Sequence, residues 1–585
     1  MRYSTLNELP TTRDMVDVFG GYNHNLRIND GEFFDMTNMT SDHYPVLAPR
    51  QQRGVYKSGI DPQGLIAKDA LCYVDGSKFV IDEYSVDMGL STAVEDCPKQ
   101  LISMGAYVII LPDKKWINTA DITEFGNIEA SITTEGAVNF SLCSLSGADY
   151  EIKSAQDTEP ENPENMDYWI DTSTQPHTLK QWSSVSSMWV TVPTTYIKIS
   201  ATGIGVPFKQ YDGVKISGLT GSEYSDIAAI DGAFVVWAKG DDYLVIVGML
   251  DATRSLTDAV TVARTMPDMD FVTESENRLW GCRYGIAEDG SVVNEIYASK
   301  LGDFKNWSCF MGLSTDSYVV SVGTDGQFTG AVTHLGYPLF FKENCLHKIY
   351  GNYPANYQLQ TTACRGVQKG CSASLAIVNE VLYYKSRQGV CAYDGSLPTE
   401  ISSPLGNEVY DAAVGCAHHD KYYISMRGAD GEYDLFVYDA SKGLWHREDA
   451  TQVKLFCSCD DELYYIDGAG GSIKTMLGSG TKDTNKVTWM AETGALGTDS
   501  PDRKYISRLT VRMSMEIGAT VSFKIQYDSV GDWETQCVLT GNSLRSFAIP
   551  LRPRRCDHFK LRIEGTGDAR IYSIAKIIEE GSDRW

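Results

Sequence analysis

The sequence predicts an all-β fold, a β-propeller that carries an inserted β-domain and is followed by a C-terminal β-sandwich. Similar units recur about every 40 residues, and those that begin at Leu375, Val414 and Leu455 are 39 and 41 residues apart. Each has two runs of aromatic and β-branched residues around a polar turn. A four-stranded propeller blade needs about 40 to 45 residues. The period therefore favours a propeller over the alternative, an unrelated set of β-sandwiches.

Residues 1–60 are predicted to form an N-terminal arm. They are irregular and rich in turn-forming residues, at Gly20-Gly21, Asn29-Asp30-Gly31 and Tyr44-Pro45. We expect this arm to be extended and to pack on something else.

The propeller is predicted in two parts, residues 61–120 and residues 218–477. Hairpin-like units on both sides of the gap alternate apolar and polar residues around Gly, Asp or Pro turns. They include Leu65–Asp82, Leu101–Ile117, Ile227–Val247, Asn277–Ser299 and Thr333–Tyr350.

Residues 121–217 are predicted to be a β-domain inserted into the propeller, because their strands are rich in Ser and Thr whereas blade-like hairpins flank them. An acidic loop, Asp157–Glu164, has no apolar residue to bury and is expected to be solvated. The aromatic cluster of Tyr168, Trp169, Trp182 and Trp189 has two interpretations. It is either a sugar-binding platform or the core of a small β-domain.

A polar connector, Gly478–Lys486, precedes the C-terminal β-sandwich, which is predicted at residues 487–585. Its length of about 100 residues and its alternating runs are typical of a sandwich. The predicted strands are Val487–Glu492, Ile506–Met515, Ala519–Tyr527, Ser546–Leu551 and His558–Ile563.

Composition restricts the function. The formal net charge of the 585-residue chain is −26, which argues against DNA binding driven by counterion release but permits a surface past which DNA slides. The N-terminus lacks a signal-peptide core and no apolar run could cross a bilayer, so we expect a soluble protein without membrane insertion. The 14 cysteines are scattered, and pairs such as Cys457 and Cys459 lack zinc-site spacing. We therefore expect buried, reduced thiols.

No catalytic residue, cofactor site or metal ligand is assigned from the sequence. It has no phosphate-binding GxxxxGK[ST] loop, no GxSxG and no HExxH. His418-His419-Asp420 could bind a metal, but adjacent strand residues point to opposite faces, which favours a hairpin turn. The 77 carboxylates leave a glycosidase pair open. The basic group of Arg552, Arg554 and Arg555, with Arg503, Lys504 and Arg508 in the same domain, is expected to pair with an acidic protein surface, although nucleic acid remains an alternative.

Several short passages resemble the tail-nozzle proteins of short-tailed bacteriophages and the related packaged-DNA stabilisation proteins. Near the N-terminus these passages contain Gly-Gly, Asn and Arg residues, and later ones look like propeller blade segments. The N-terminal passages are Phe19-Gly20-Gly21, Asp30-Gly31-Glu32, Asn38-Met39-Thr40 and Tyr44–Arg50, and the later ones are Asn277–Gly281, Ile296–Ser299, Leu339–Glu343 and Ser386–Gly395. The resemblance covers about residues 15 to 60 and 270 to 470.

This resemblance implies a structural virion protein that forms a ring, usually of six copies, below the portal and adaptor rings, and that has no catalytic residues. The expected partners are further copies of the chain, portal, adaptor and tail fibre proteins, and genomic DNA that passes without specific binding. The expected location is the virion tail, after synthesis in the host cytoplasm. The alternatives are a carbohydrate-binding adhesin and a propeller glycoside hydrolase.

Overall fold

The computed structural model describes residues 11–92, 98–287, 290–482, 485–499, 502–541 and 543–580. The fold is all-β, as predicted, and belongs to the β-propeller class, because it repeats the four-stranded antiparallel sheet that forms a propeller blade. The described residues contain one short α-helix and three 3-10 helices. These are Ser225–Ala228, Pro354–Asn356, Ser372–Ser374 and Ser403–Leu405.

The chain divides into two compact units. The first unit consists of Met1–Lys99, Phe340–Leu346 and Thr361–Trp585, and the second of Gln100–Leu339 and His347–Gln360.

Seven of the sheets in the described residues are blades, numbered here along the chain. In blades 1 to 6 the four strands pair in sequence order. Blades 1, 5, 6 and 7 belong to the first unit and blades 2 and 3 to the second, whereas blade 4 has residues in both. The strands are Pro62–Lys68, Ala70–Asp75, Lys78–Ile81 and Tyr84–Asp87 in blade 1; Gln100–Met104, Tyr107–Leu111, Lys115–Asn118 and Phe125–Asn127 in blade 2; Phe271–Ser275, Arg278–Ile286, Val292–Ala298 and Tyr318–Ser321 in blade 3; Gly330–His334, Tyr337–Lys342, Cys345–Tyr350 and Gln358–Ala363 in blade 4; Ala376–Val378, Val381–Ser386, Gly389–Tyr393 and Thr399–Glu400 in blade 5; Tyr410–His418, Lys421–Gly428, Tyr433–Asp439 and Leu444–Arg447 in blade 6; and Val453–Cys459, Glu462–Asp467, Ser472–Thr475 and Gly54–Ser58 in blade 7.

The turn between the first two strands of a blade has a recurrent conformation. Glu276 and Asn277 in blade 3, and Asn379 and Glu380 in blade 5, have φ values of 49° to 66°. Positive φ at both central residues defines the type I′ turn, whose twist matches that of the flanking strands. This local geometry explains why the blade hairpins could be predicted from the sequence.

Adjacent blades pack through their first strands. In the first unit the first strands of blades 5, 6, 7 and 1 contact one another in succession, and in the second unit those of blades 2, 3 and 4 do so. Leu71 and Tyr73 of blade 1, for example, pack against Ile466 and Ile473 of blade 7. Burial between blades thus supplies the core that a single four-stranded sheet lacks.

Blade 7 contains one strand from the start of the chain. Gly54–Ser58 pairs with Ser472–Thr475, and the short strand Thr481–Lys482 pairs with it on its other side. A strand contributed from more than 400 residues away ties the two ends of the propeller sequence together.

The inserted domain has boundaries different from those predicted. Its sheets run from residue 130 to residue 264, and residues 125–127 form the last strand of blade 2. Gly213–Ser217 pairs with Thr261–Arg264, and Tyr243–Val247 pairs with Tyr196–Ser200, so the predicted end at residue 217 was wrong. The pattern of Ile227–Val247 led to the wrong boundary because a sandwich hairpin alternates apolar and polar residues in the same way as a blade hairpin.

Three sheets make up the inserted domain, and all three contribute to one core, which includes Phe140, Ile170 and Val214. Their strands, in pairing order, are Ala130–Thr133, Thr261–Arg264, Gly213–Ser217 and Gly232–Val235; Ala238–Gly240, Tyr243–Val247, Tyr196–Ser200, Val138–Cys143 and Arg254–Leu256; and Ile152–Gln156, Tyr168–Asp171, Thr178–Ser183 and Met188–Thr191.

The C-terminal sandwich has a four-stranded and a six-stranded sheet. Both include strands from the N-terminus, so the predicted arm is not a separate extended segment but part of the sandwich. The alternation of apolar and polar residues in these short N-terminal strands covers too few residues to be recognised in the sequence. The strands are Thr11–Val16, Ala569–Glu580, Lys504–Met515 and Arg545–Ile549; and Gly21–Tyr22, Glu32–Thr37, Thr488–Thr493, Phe559–Thr566, Thr520–Tyr527 and Glu534–Thr540; Met39–Thr40 and Ala48–Pro49 pair separately.

None of the helices in the described ranges is long and apolar enough to cross a bilayer.

Candidate functional site

The histidine cluster lies in a blade turn. His418 ends the first strand of blade 6, and His419 has a φ of 49° in the turn that follows. His418 is buried, its Nδ1 lies 2.9 Å from Ser458 Oγ, and burial with the neighbouring His419 lowers its pKa. The described residues hold no group of three potential metal ligands. The hairpin-turn interpretation of this cluster is confirmed.

The cysteines are structural. Thirteen of the 14 lie in described residues, all as free thiols, and ten of these are buried, while Cys97 lies outside the described residues. Burial raises the pKa of Cys72 to about 12 and that of Cys371 to about 11. A raised thiol pKa suppresses the reactive thiolate. The prediction that the thiols are buried is confirmed for these ten cysteines, whereas Cys364, Cys416 and Cys537 are partly buried.

A cavity of about 550 Å³ lies where the first strands of blades 1, 6 and 7 begin. Asp61 is the only carboxylate among its described lining residues. Arg427, at the same cavity, is held by two hydrogen bonds to Asp411, at 2.8 and 3.0 Å. The described lining thus does not contain the pair of carboxylates that a glycosidase uses.

The N-terminal passages of the family resemblance lie in one place. We call it the N-terminal seam: residues 19–53 packed against blade 6 and against residues 448–451 that follow it. Gly21 has a φ of 81°, and a Cβ there would lie 2.5 Å from the Trp445 carbonyl oxygen. Glycine is required here because both the backbone conformation and the close approach exclude a side chain.

Two arginines complete this seam. Arg53 lies 2.8 Å from Glu448 and 3.0 Å from Asp449, and Arg50 lies 3.1 Å from Asp449. Arg50 also donates to Asn38 Oδ1 at 2.8 Å. Burial opposes the ionisation of Asp449, but Arg53 and Arg50 outweigh it and lower its pKa. These residues act structurally, since each charge is already paired within the chain.

The second arginine group lies at the surface of the C-terminal sandwich. Arg503, Arg552, Arg554 and Arg555 are all exposed, and we call them the basic edge. Backbone hydrogen bonds between Lys504 and Cys556, both 2.9 Å, hold the two segments side by side. Lys504 itself is buried and donates to the Gly497 carbonyl, while Arg508 is exposed further along the same strand.

The basic edge belongs to a region of distinct charge. Residues 487–585 contain 14 Lys and Arg against 13 Asp and Glu, whereas residues 1–486 contain 37 against 64. Arg554 lies 3.4 Å from Glu534, but this pair is largely solvated, with the arginine side chain 64% exposed. Exposed pairs of this kind contribute about 0 to 1 kcal/mol, so this pair does little for folding.

The aromatic cluster of the inserted domain divides between two faces of one sheet. Tyr168 packs on the domain core together with Ile170 and Leu179. Trp169, Trp182 and Trp189 lie outside that core cluster and contact one another, with ring centroids 5.4 Å apart in each of two pairs. The core interpretation thus holds for Tyr168 and for Trp169, which is buried, and not for Trp182 and Trp189, which are half-buried.

Comparisons with known proteins identify no relative. No family model matches the chain, and no curated protein matches it. Raptor from Chaetomium thermophilum is similar to 74% of this chain and 30% of its own, at 10% identity and a TM-score of 0.27. The WD40 domain of Toxoplasma gondii coronin matches over 75% and 86%, at 8% identity and a TM-score of 0.25. The phage phi92 endosialidase matches over 77% of this chain and 73% of its own, at 11% identity and a TM-score of 0.24. Similarities this low assign neither a family nor a function.

Proposed function

We propose that the chain is a structural virion protein, one of about six copies that form the ring-shaped tail nozzle of a bacteriophage. The virion assignment rests on the resemblance to tail-nozzle proteins. The N-terminal passages of this chain that carry the resemblance lie in the N-terminal seam. The assembly step is carried by one observation, the basic edge on a chain whose remaining residues have a large excess of acidic groups.

Charge complementarity favours a head-to-tail contact. Two acidic surfaces repel each other, whereas the basic edge of one copy and an acidic surface of the next attract. A contact between two different surfaces of the same chain is heterologous, and it closes into a ring when the rotation between copies fits. In this proposal portal, adaptor and fibre proteins bind other surfaces of the ring.

DNA passes through this ring without specific binding. The acidic excess of residues 1–486 keeps the duplex away from the channel wall, since each phosphate held by Lys or Arg would slow its passage. The proposed subunit catalyses no reaction. A channel lined mainly by Lys and Arg in a structure of the ring would contradict this part of the proposal.

The test is native mass spectrometry of tails isolated from the phage particles that contain the chain. We expect a closed ring of about six copies, and tails with only monomers or dimers of the chain would contradict the proposal. Arg554→Glu with Arg555→Glu should prevent incorporation. Arg512→Glu with Arg545→Glu changes the charge equally on exposed residues of the same sandwich and should not.

A further inference from the structure

The three tryptophans lie on the outward face of a four-stranded sheet in the inserted domain. Trp182 is directly opposite Trp189 on the neighbouring strand, and Trp169 is opposite Lys180. Directly opposed residues share one face of a sheet. Ile170 and Leu179, which are also opposed, lie on the other face and belong to the domain core. We call the outward side the tryptophan face.

The tryptophan face keeps aromatic surface and hydrogen-bond donors available. Trp182 and Trp189 are half-buried, whereas Trp169 is buried and donates its indole N–H to the Gln156 carbonyl at 3.0 Å. Among the described residues no protein acceptor lies within hydrogen-bond distance of the Trp182 or Trp189 indole nitrogen. Neither indole N–H is among the buried polar atoms without a partner, so both can donate to a ligand with oxygen acceptors.

Polar groups beside the rings are held in place. Lys180 Nζ lies 4.9 Å from the Trp169 ring centroid and 2.8 Å from Asp171. Hydrogen bonds from Lys180 and Ser173 lower the pKa of Asp171 to about 2. The Ser154 hydroxyl, opposite Trp169 on the next strand, is buried without a partner in the described structure. The face therefore combines ring surface with fixed donors and acceptors.

The charge near this face selects the type of ligand. The loop Asp157–Glu164, which follows the strand Ile152–Gln156, contains four carboxylates and no basic residue. Lys180 is neutralised by Asp171. An anionic sugar would be repelled here, since like charges face each other across a partly solvated surface.

We propose that the tryptophan face binds a neutral polysaccharide. The apolar C–H side of a pyranose ring packs on an indole, and its hydroxyl groups accept hydrogen bonds from the Trp182 and Trp189 N–H groups. Trp182 and Trp189, on neighbouring strands with ring centroids 5.4 Å apart, supply the accessible ring surface, and Trp169 packs behind them against Trp189. This site adds glycan attachment to the proposed structural role and does not depend on it.

The experiment is isothermal titration calorimetry of the full chain with chitohexaose, cellohexaose, laminarihexaose and mannohexaose, and with polysialic acid as the anionic probe. We expect at least one neutral hexasaccharide to bind and polysialic acid not to bind. Trp189→Ala, which removes the central ring, should weaken binding by about tenfold or more, and Trp182→Ala by less.

Two further variants separate recognition from folding. Trp533→Ala removes a half-buried tryptophan of the C-terminal sandwich, which lies under Arg562 at 4.2 Å, and should leave glycan affinity unchanged. Trp189→Phe keeps an aromatic ring but no N–H, and should bind with intermediate affinity even if Trp189→Ala does not fold. The proposal is overturned if all four neutral hexasaccharides fail to bind at millimolar concentration or if polysialic acid binds more tightly. Unchanged affinity in Trp182→Ala and Trp189→Phe, or a protein that occupies the face in place of any glycan, would also overturn it.

Discussion

Two arginine groups of the first unit differ in burial and therefore in what they do. In the N-terminal seam Arg50 and Arg53 are largely buried and bound to Glu448 and Asp449. At the basic edge Arg554 is 64% exposed, and its pair with Glu534 is long, at 3.4 Å. Removing one member of a buried pair leaves an uncompensated charge, whereas a solvated arginine loses little when its partner is lost.

The number of arginines in a group therefore does not reveal what the group does. The seam holds the N-terminal segment on blade 6, so its arginines stabilise the fold. At the basic edge the solvated pair of Arg554 with Glu534 contributes little to folding. Four substitutions test this division, and they are given from the largest expected change in the free energy of unfolding to the smallest.

Arg53→Met should have the largest effect. It leaves Glu448, which is 8% exposed at its side chain, with Arg50 alone at 3.5 Å, and we expect a loss of about 3 to 5 kcal/mol. Urea denaturation at pH 7 measures this change. Arg53→Met combined with Glu448→Gln should recover part of the loss, because the second substitution removes the uncompensated charge. Equal stabilities of wild type and Arg53→Met would show that the seam is not held by its ion pairs.

Gly21→Ala should lower the free energy of unfolding by about 3 kcal/mol. Left-handed backbone strain accounts for about 1 to 2 kcal/mol of this loss. The rest comes from a shift of the Trp445 carbonyl, which lies 2.5 Å from the new Cβ. Gly76→Ala is the matched control. Gly76 also has a positive φ, of 54°, but a Cβ added there would meet nothing within 4 Å, so only the strain should be measured. Thermal unfolding of both variants separates strain from the close contact, and equal losses would contradict the proposed packing at the seam.

Patterns of neighbouring residues predicted the blade hairpins. Strands that pair with distant parts of the chain could not be predicted in this way. The turn at His419 and the strands around it could be predicted because a hairpin is specified by neighbouring residues. The pairing of Thr11–Val16 with residues 574–579 could not, since nothing in either segment identifies a partner more than 550 residues away. The same limit explains the wrong end of the inserted domain, where Ser131 and Lys215 both pair with Ala263.

The candidate surfaces show a similar division. The sequence alone identified the tryptophans and the arginine group, because rare residues and charge runs are visible without a structure. Which face of the sheet Trp182 occupies, and which arginines are paired, depend on strand register and burial. The uneven division of charge at residue 487 could have been found by counting residues region by region.

Asp439→Asn tests the seam through pH. Burial opposes ionisation of Asp439, but hydrogen bonds from Lys442, Ser41 and Ser441, at 2.6 to 2.8 Å, lower its pKa to about 2. A carboxylate with a depressed pKa stabilises the fold above its unfolded pKa of about 4, and this contribution is lost as pH falls toward 2. The free energy of unfolding of the wild type should exceed that of Asp439→Asn by about 2 kcal/mol at pH 6, and the difference should shrink between pH 4 and pH 2.

Asp430→Asn, at an exposed turn, is the control. Its free energy of unfolding should differ from that of the wild type by about 0.5 kcal/mol or less at either pH. A difference between wild type and Asp439→Asn that stays constant from pH 6 to pH 2 would contradict this linkage.

Arg554→Ala should have the smallest effect on folding. Its pair with Glu534 is solvated, so urea denaturation should give a change of about 0.5 kcal/mol or less. If the basic edge binds an acidic surface of the next copy, the same substitution should weaken association of the chain, and the loss should be larger at low salt, where screening is weaker. Sedimentation of wild type and variant at about 50 and 500 mM salt measures this, with Arg512→Ala, another exposed arginine of the sandwich, as the control. A loss of several kcal/mol in the free energy of unfolding would show that Arg554 stabilises the fold as the seam arginines do. Unchanged association at both salt concentrations would remove the basic edge from the assembly contact.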